Sequence, residues 1–80
     1  WYTGYDGERQ GQKMLGYAVS SDGLHWTPHP DNPIYSADWV EDMQVVRHGE
    51  QYFMFAEGRD DIAHLLASPD GLAWKRIGPL

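Results

Sequence analysis

The sequence predicts an all-β protein built of antiparallel strands in four-stranded units. Three observations predict it. SSDGLHW at residues 20–26 returns as SPDGLAW at 68–74, so one signature occurs twice, 48 residues apart. Short aromatic and β-branched runs alternate with clusters of Gly, Asp and Asn. Aromatic residues make up 14% of the chain, which favours strands over disorder.

The elements follow in order. WYTG (1–4) matches FAEG (55–58), an offset of 54. LGYAVSSDGLHW (15–26) matches AHLLASPDGLAW (63–74), an offset of 48. The difference of six falls in YDGERQGQKM, a Gly-rich polar loop where insertions cost little. A strand is expected near 13–20 after that loop. PHPDNPIYSAD (28–38) is a connection, because its three prolines cannot donate in a ladder. MQVVR predicts a strand near 43–48, HGE a turn, and QYFMFAE a strand near 51–57. GRDD breaks that run. IAHLLAS fits a helical turn as well as a strand, but its length and flanking breakers favour a strand near 62–68. LAWKRIG gives a last strand near 73–77, joined by the Asp-Gly turn.

Residues 42–80 thus read as one complete meander and residues 1–28 as the last three strands of a preceding one. Residues 29–41 connect them. Four-stranded sheets recurring at ~40–50 residues are propeller blades. In this reading Asp22 and Asp70 accept turn N–H groups, while Trp26 and Trp74 cover the junction between sheets. The competing reading makes these four residues a sugar platform.

Bulk properties narrow the function. Eighty residues form one small domain, and the absence of cysteine removes disulfides and thiolate metal sites. A net charge of −6, from 12 acidic and 6 basic residues, argues against nucleic acid and anionic membrane surfaces as partners. No apolar stretch approaches the ~20 residues of a membrane helix. No signal peptide is visible, and the opening WYTG reads as the middle of a strand.

Together, YFMFAEG, IAHLLASPDGLAW, HPDNPIY and an acidic pair opening a strand resemble the five-bladed β-propeller glycoside hydrolases. That superfamily holds arabinanases, levansucrases and invertases, and also related mannoside phosphorylases. The adjacent Asp-Gly pairs depart from the sialidase Asp-box, which has a residue between them. The resemblance spans the chain but only about two blades. It implies a fragment of a five-bladed ring, with remaining blades or self-association needed to cover exposed sheet faces. It also implies a carbohydrate substrate, and no cofactor.

The implied chemistry uses carboxylates flanking a glycosidic bond, their pKa values pushed apart. Asp42 matches the family's stabilising carboxylate. Glu41 and Met43 stand where the family has Arg and Pro, so the match is partial. Glu57 replaces Thr3 of the first unit and is the second catalytic candidate. Its alternative is a surface pair with Arg59. Glu41, Trp39, Arg59 and His64 are substrate-binding candidates: Trp39 as a stacking platform, Arg59 as a clamp, His64 because it replaces Gly16. The alternatives are a solvated strand opening for Glu41 and Asp42 and a satisfied core histidine for His64. Asp60 and Asp61 read as a solvated turn. Tyr5, Asp6 and Arg9 read as a loop tip that reaches the rim of a pocket in the functional reading. His25, His29 and His48 read as surface, and Trp1 and Tyr2 as filling between sheets. No spacing suggests a metal site.

Counting from the HGE turn places Asp42 and Glu57 at the same end of the sheet. Two further readings remain: a catalytically silent binding or structural module, and a phosphorylase. The phosphorylase needs a cationic cluster, for which only Arg59 and His64 are placed.

Overall fold

A computed structural model describes residues 1–5, 13–59 and 62–79. Eight strands follow in chain order: β1 (Tyr2–Tyr5), β2 (Lys13–Gly16), β3 (Ala18–Val19), β4 (Thr27–Pro28), β5 (Glu41–His48), β6 (Gln51–Glu57), β7 (Ala63–Ser68) and β8 (Lys75–Pro79). All pairings are antiparallel. β5 to β8 form one four-stranded sheet in sequence order, while β1–β2 and β3–β4 pair separately. The all-β, antiparallel expectation is met, including one complete four-stranded meander.

The expected single strand at 13–20 is divided at Tyr17. The cause is Asn32 in the connection. Its Oδ1 accepts from the Tyr17 N–H at 2.9 Å, and its Nδ2 donates to the Tyr17 carbonyl at 2.9 Å. The His29 N–H also donates to that carbonyl, at 2.7 Å. Further along, Leu15 exchanges backbone hydrogen bonds with Ile34 and Tyr35, and the Val40 N–H donates to the Lys13 carbonyl. The connection therefore runs beside β2, where its prolines leave the necessary N–H groups at Ile34 and Val40.

The internal repeat is structural as well as textual. Tyr2 pairs with Gly16 and Thr3 with Leu15. Their matches pair identically, Ala56 with His64 and Glu57 with Ala63. Ala18–Pro28 and Val19–Thr27 recur as Leu66–Arg76 and Ala67–Lys75. The two signatures fold alike. Ser20 Oγ accepts from the N–H of Gly23 at 2.8 Å, and Asp22 Oδ1 accepts from Leu24 and His25 at 2.8 and 2.9 Å. Ser68 Oγ takes the Gly71 N–H at 2.8 Å, and Asp70 Oδ1 takes those of Leu72 and Ala73 at 2.9 Å each. Gly23 and Gly71 hold φ of 78° and 83°, where a Cβ is strained.

The core lies between the two units. Met54, Ala56, Leu66 and Trp74 from the C-terminal sheet cluster with Leu15 and Val40. Alternation along β6 and β7 puts Tyr52, Met54, Ala56, His64, Leu66 and Ser68 on this inner face. Truncating a fully buried Leu or Met costs ~2–5 kcal/mol, a large share of the stability of a domain this size. Trp1 lies on the seam. Its Nε1 donates to the Gly71 carbonyl at 2.7 Å, and its ring packs edge-on to Trp74 at 6.4 Å. Tyr2 packs against Gly16, where a Cβ would stand 2.4 Å from its ring, and it lines one hollow together with Trp1.

Candidate functional site

Antiparallel pairing brings the start of β5, the end of β6, the start of β7 and the end of β8 to one end of the sheet. Glu41 pairs with Glu57, Glu57 with Ala63, and His64 with Pro79. An open cavity of about 350 Å³ lies at this end, lined by Ala37, Asp38, Trp39, Arg59, Ile62, His64 and Arg76. Three of the residues singled out from the sequence, Trp39, Arg59 and His64, line it together.

Trp39 is held from two sides. Its Nε1 donates to Glu41 Oε2 at 3.1 Å, and the Arg59 guanidinium lies 4.4 Å from its ring centroid. That separation is well inside cation–π range. Glu41 also meets Lys13, at 3.9 Å. Glu41 thus orients Trp39, while Arg59 covers part of the ring expected to serve as a platform.

Asp38 and Arg76 are the residues that sequence reasoning missed. Arg76 Nη1 donates to Asp38 Oδ1 at 3.3 Å, and the Tyr35 hydroxyl donates to Asp38 Oδ2. The Tyr35 hydrogen bond is the main influence holding the Asp38 carboxyl below its ordinary value, with Arg76 assisting. Burial, then the Asp38 hydrogen bond, pushes the Tyr35 hydroxyl well above its ordinary value. Asp38 therefore stays an ionised acceptor through the neutral range. A signal for Arg76 existed in the repeat. It replaces Pro28, as His64 replaces Gly16 and Glu57 replaces Thr3. All three departures are polar, and all three fall in strands that converge on this end.

His64 is 7% exposed, and neither ring nitrogen has a hydrogen-bond partner among the described residues. The expectation of a satisfied core histidine fails on that count. Buried polar atoms are nearly always bonded, so this imidazole is an exception within the fold. Gly58 makes room for it: a Cβ there would stand 1.7 Å from His64 Nε2.

The two carboxylates proposed for catalysis sit beside this cavity rather than in its wall. Asp42 is exposed and has φ of 47°, in the irregular stretch between Glu41 and Gln44. A non-glycine residue there carries backbone strain, which Asp tolerates better than most. Glu57 is half-buried opposite Glu41. Asp42 and Glu57 thus share one end of the sheet. Lys13 Nζ lies 4.7 Å from the Tyr5 ring centroid. Asp6, Arg9, Asp60 and Asp61 lie outside the described residues. The carboxylates of Asp22 and Asp70 are occupied by turn N–H groups, and His25 Nδ1 also meets Asp22 at 2.8 Å. That bonding accounts for both aspartates as scaffold. Among the described residues, no group of three or more His, Asp or Glu side chains is placed to hold a metal ion.

A larger hollow of about 430 Å³ lies on the N-terminal unit, lined by Trp1, Tyr2, Ala18, Trp26 and Pro28. Among the described residues, no carboxylate or cation lines it. No family model, curated protein or solved structure matches this chain.

Proposed function

We propose that this chain forms one wall of a carbohydrate-processing site of the glycoside hydrolase kind, in a propeller-like arrangement of four-stranded sheets. The observation that carries the reading is the convergence of Asp38, Trp39, Arg59, His64 and Arg76 on one cavity. Beside it, Glu41, Asp42 and Glu57 crowd the same sheet end. A sugar ring needs an apolar surface, bidentate donors and ionised acceptors for its hydroxyls, and these residues supply each. Cleavage needs two carboxyl groups flanking the bond. In this reading Asp42 sets charge and orientation, Glu57 is the second acid, and Asp38 grips substrate hydroxyls. The family resemblance supplies the roles of Asp42 and Glu57.

The direct test is titration of the chain with arabino- and xylo-oligosaccharides, followed by calorimetry. Saturable binding is expected, lost in Trp39→Ala. Turnover of aryl arabinofuranosides or xylosides by the 80-residue chain is expected to be negligible. In a complete enzyme containing this segment, Asp42→Asn should lower kcat at least ~100-fold with the fold intact. Unchanged activity there would remove Asp42 from the site.

One observation favours a second reading. Arg76 joins Arg59 and His64 around the same cavity, a grouping suited to an oxyanion. A phosphorylase would use it to hold phosphate against the glycosidic carbon. Phosphate-dependent release of a sugar phosphate separates this reading from hydrolysis.

A further inference from the structure

Three positions on the wall of the Asp38–Trp39 cavity depart from the internal repeat in the same direction. Arg59 stands where the first unit has Tyr5, His64 where it has Gly16, and Arg76 where it has Pro28. The register supports two of these matches. Gly16 pairs with Tyr2 as His64 pairs with Ala56, and Pro28 pairs with Ala18 as Arg76 pairs with Leu66. The first unit folds the same way without basic side chains at these places, so their arrival together at one cavity is a local specialisation. Among the described residues, no charged side chain lines the hollow that Tyr5 and Gly16 share in the N-terminal unit.

Both guanidinium groups are held in place by the cavity itself. Arg59 lies 4.4 Å from the Trp39 ring centroid, and Asp38 holds Arg76 through the 3.3 Å hydrogen bond from Nη1. A guanidinium carries five N–H donors in one plane, so one bond to Asp38 does not exhaust Arg76. Its side chain is 40% exposed. Arg59 and Arg76 against one carboxylate, Asp38, leave an excess of one guanidinium at the wall. His64 adds its ring to that wall, with both nitrogens buried.

We propose that this cavity takes an acidic sugar, its ring beside Trp39 and its carboxylate between Arg59 and Arg76. The inference rests on the carbohydrate reading and names its substrate class, a glycan that carries uronic acid. A carboxylate suits this wall better than phosphate. It is planar, matches the guanidinium fork, and carries the single charge that the excess guanidinium balances. Phosphate brings more negative charge to a sheet end that already holds Glu41, Asp42 and Glu57.

Calorimetric titration of the chain tests it with four probes: xylotetraose, xylotetraose bearing a glucuronic acid, the methyl ester of that acid, and inorganic phosphate. The acidic sugar should bind at least ~10-fold tighter than xylotetraose, as a charge-assisted contact implies. The preference should shrink in about 1 M salt. The methyl ester keeps the shape without the charge and should bind as xylotetraose does, an arm that needs no variant. In Arg76→Gln the acidic and neutral sugars should bind alike, and Arg76→Lys should restore part of the difference. Comparing two sugars on one variant removes any loss of fold common to both. Equal binding of the acid and its ester to the wild type overturns the proposal and leaves the carbohydrate reading standing. Binding of no sugar overturns both. Phosphate binding that Arg76→Gln abolishes, with no preference for the acidic sugar, also overturns the proposal and assigns the oxyanion to phosphate.

Discussion

Glu41 and Glu57 are register partners across β5 and β6, so two carboxylates stand opposite one another at the cavity end of the sheet. Like charges directly opposed on a ladder are destabilising. Lys13 at 3.9 Å and the Trp39 indole N–H at 3.1 Å offset this for Glu41.

Lys13→Met should therefore destabilise the fold, by up to about 1 kcal/mol at low salt, since the pair is partly exposed. Urea unfolding at ~0.02 M and 1 M salt checks it. The loss should shrink at high salt, where the ion pair is screened.

Gly71→Ala should cost more than Gly23→Ala. Both positions hold a left-handed backbone, worth roughly 1–2 kcal/mol to any Cβ. Gly71 adds the approach of Trp1 at 2.9 Å, while Gly23 faces open space. Trp1→Ala should relieve the excess at Gly71, a coupling that a double-mutant cycle reads directly. Equal costs at the two glycines would mean that Trp1 does not pack over Gly71.

Asp38 gives the fold an acid limb. Its carboxyl is held below the ordinary 3.8 by Tyr35 and Arg76. A depressed carboxyl contributes stability that is fully present above 3.8 and lost as pH falls through the lower folded value. Melting temperature against pH should thus fall below about pH 4 in the wild type. The fall should be shallower in Asp38→Asn and in Tyr35→Phe.

The strands were legible because local chemistry and long-range pairing agree. QYFMFAE and AHLLAS are bounded by Gly and Asp turns, and β6 and β7 end where those residues begin. The division at Tyr17 was not legible, because Asn32 imposes it from 15 residues away. Trp39 could be picked as an aromatic just before an acidic pair, Arg59 as a loop cation, and His64 as the residue that replaces Gly16 of the first unit. Asp38 looked like the tail of a proline-rich connection, and only folding brings it to Arg76, 38 residues later.

Gly58 and His64 should be coupled. A Cβ at Gly58 would overlap the buried imidazole at 1.7 Å, so Gly58→Ala should cost about 1–3 kcal/mol. Most of that cost should vanish in the His64→Ala background, as unfolding of the single and double variants will read. Additive costs would place the His64 ring elsewhere.

The central claim is that the cavity between Asp38, Trp39, Arg59 and His64 takes a glycan. The most direct measurement is titration of the ¹⁵N-labelled chain with an arabino-oligosaccharide, following indole and backbone amides. The account predicts saturable shifts at the Trp39 indole N–H and at the amides of Gly58, Arg59 and His64, absent in Asp38→Ala. Shifts confined to Trp26 and Ala18, or none at tens of millimolar sugar, would contradict it.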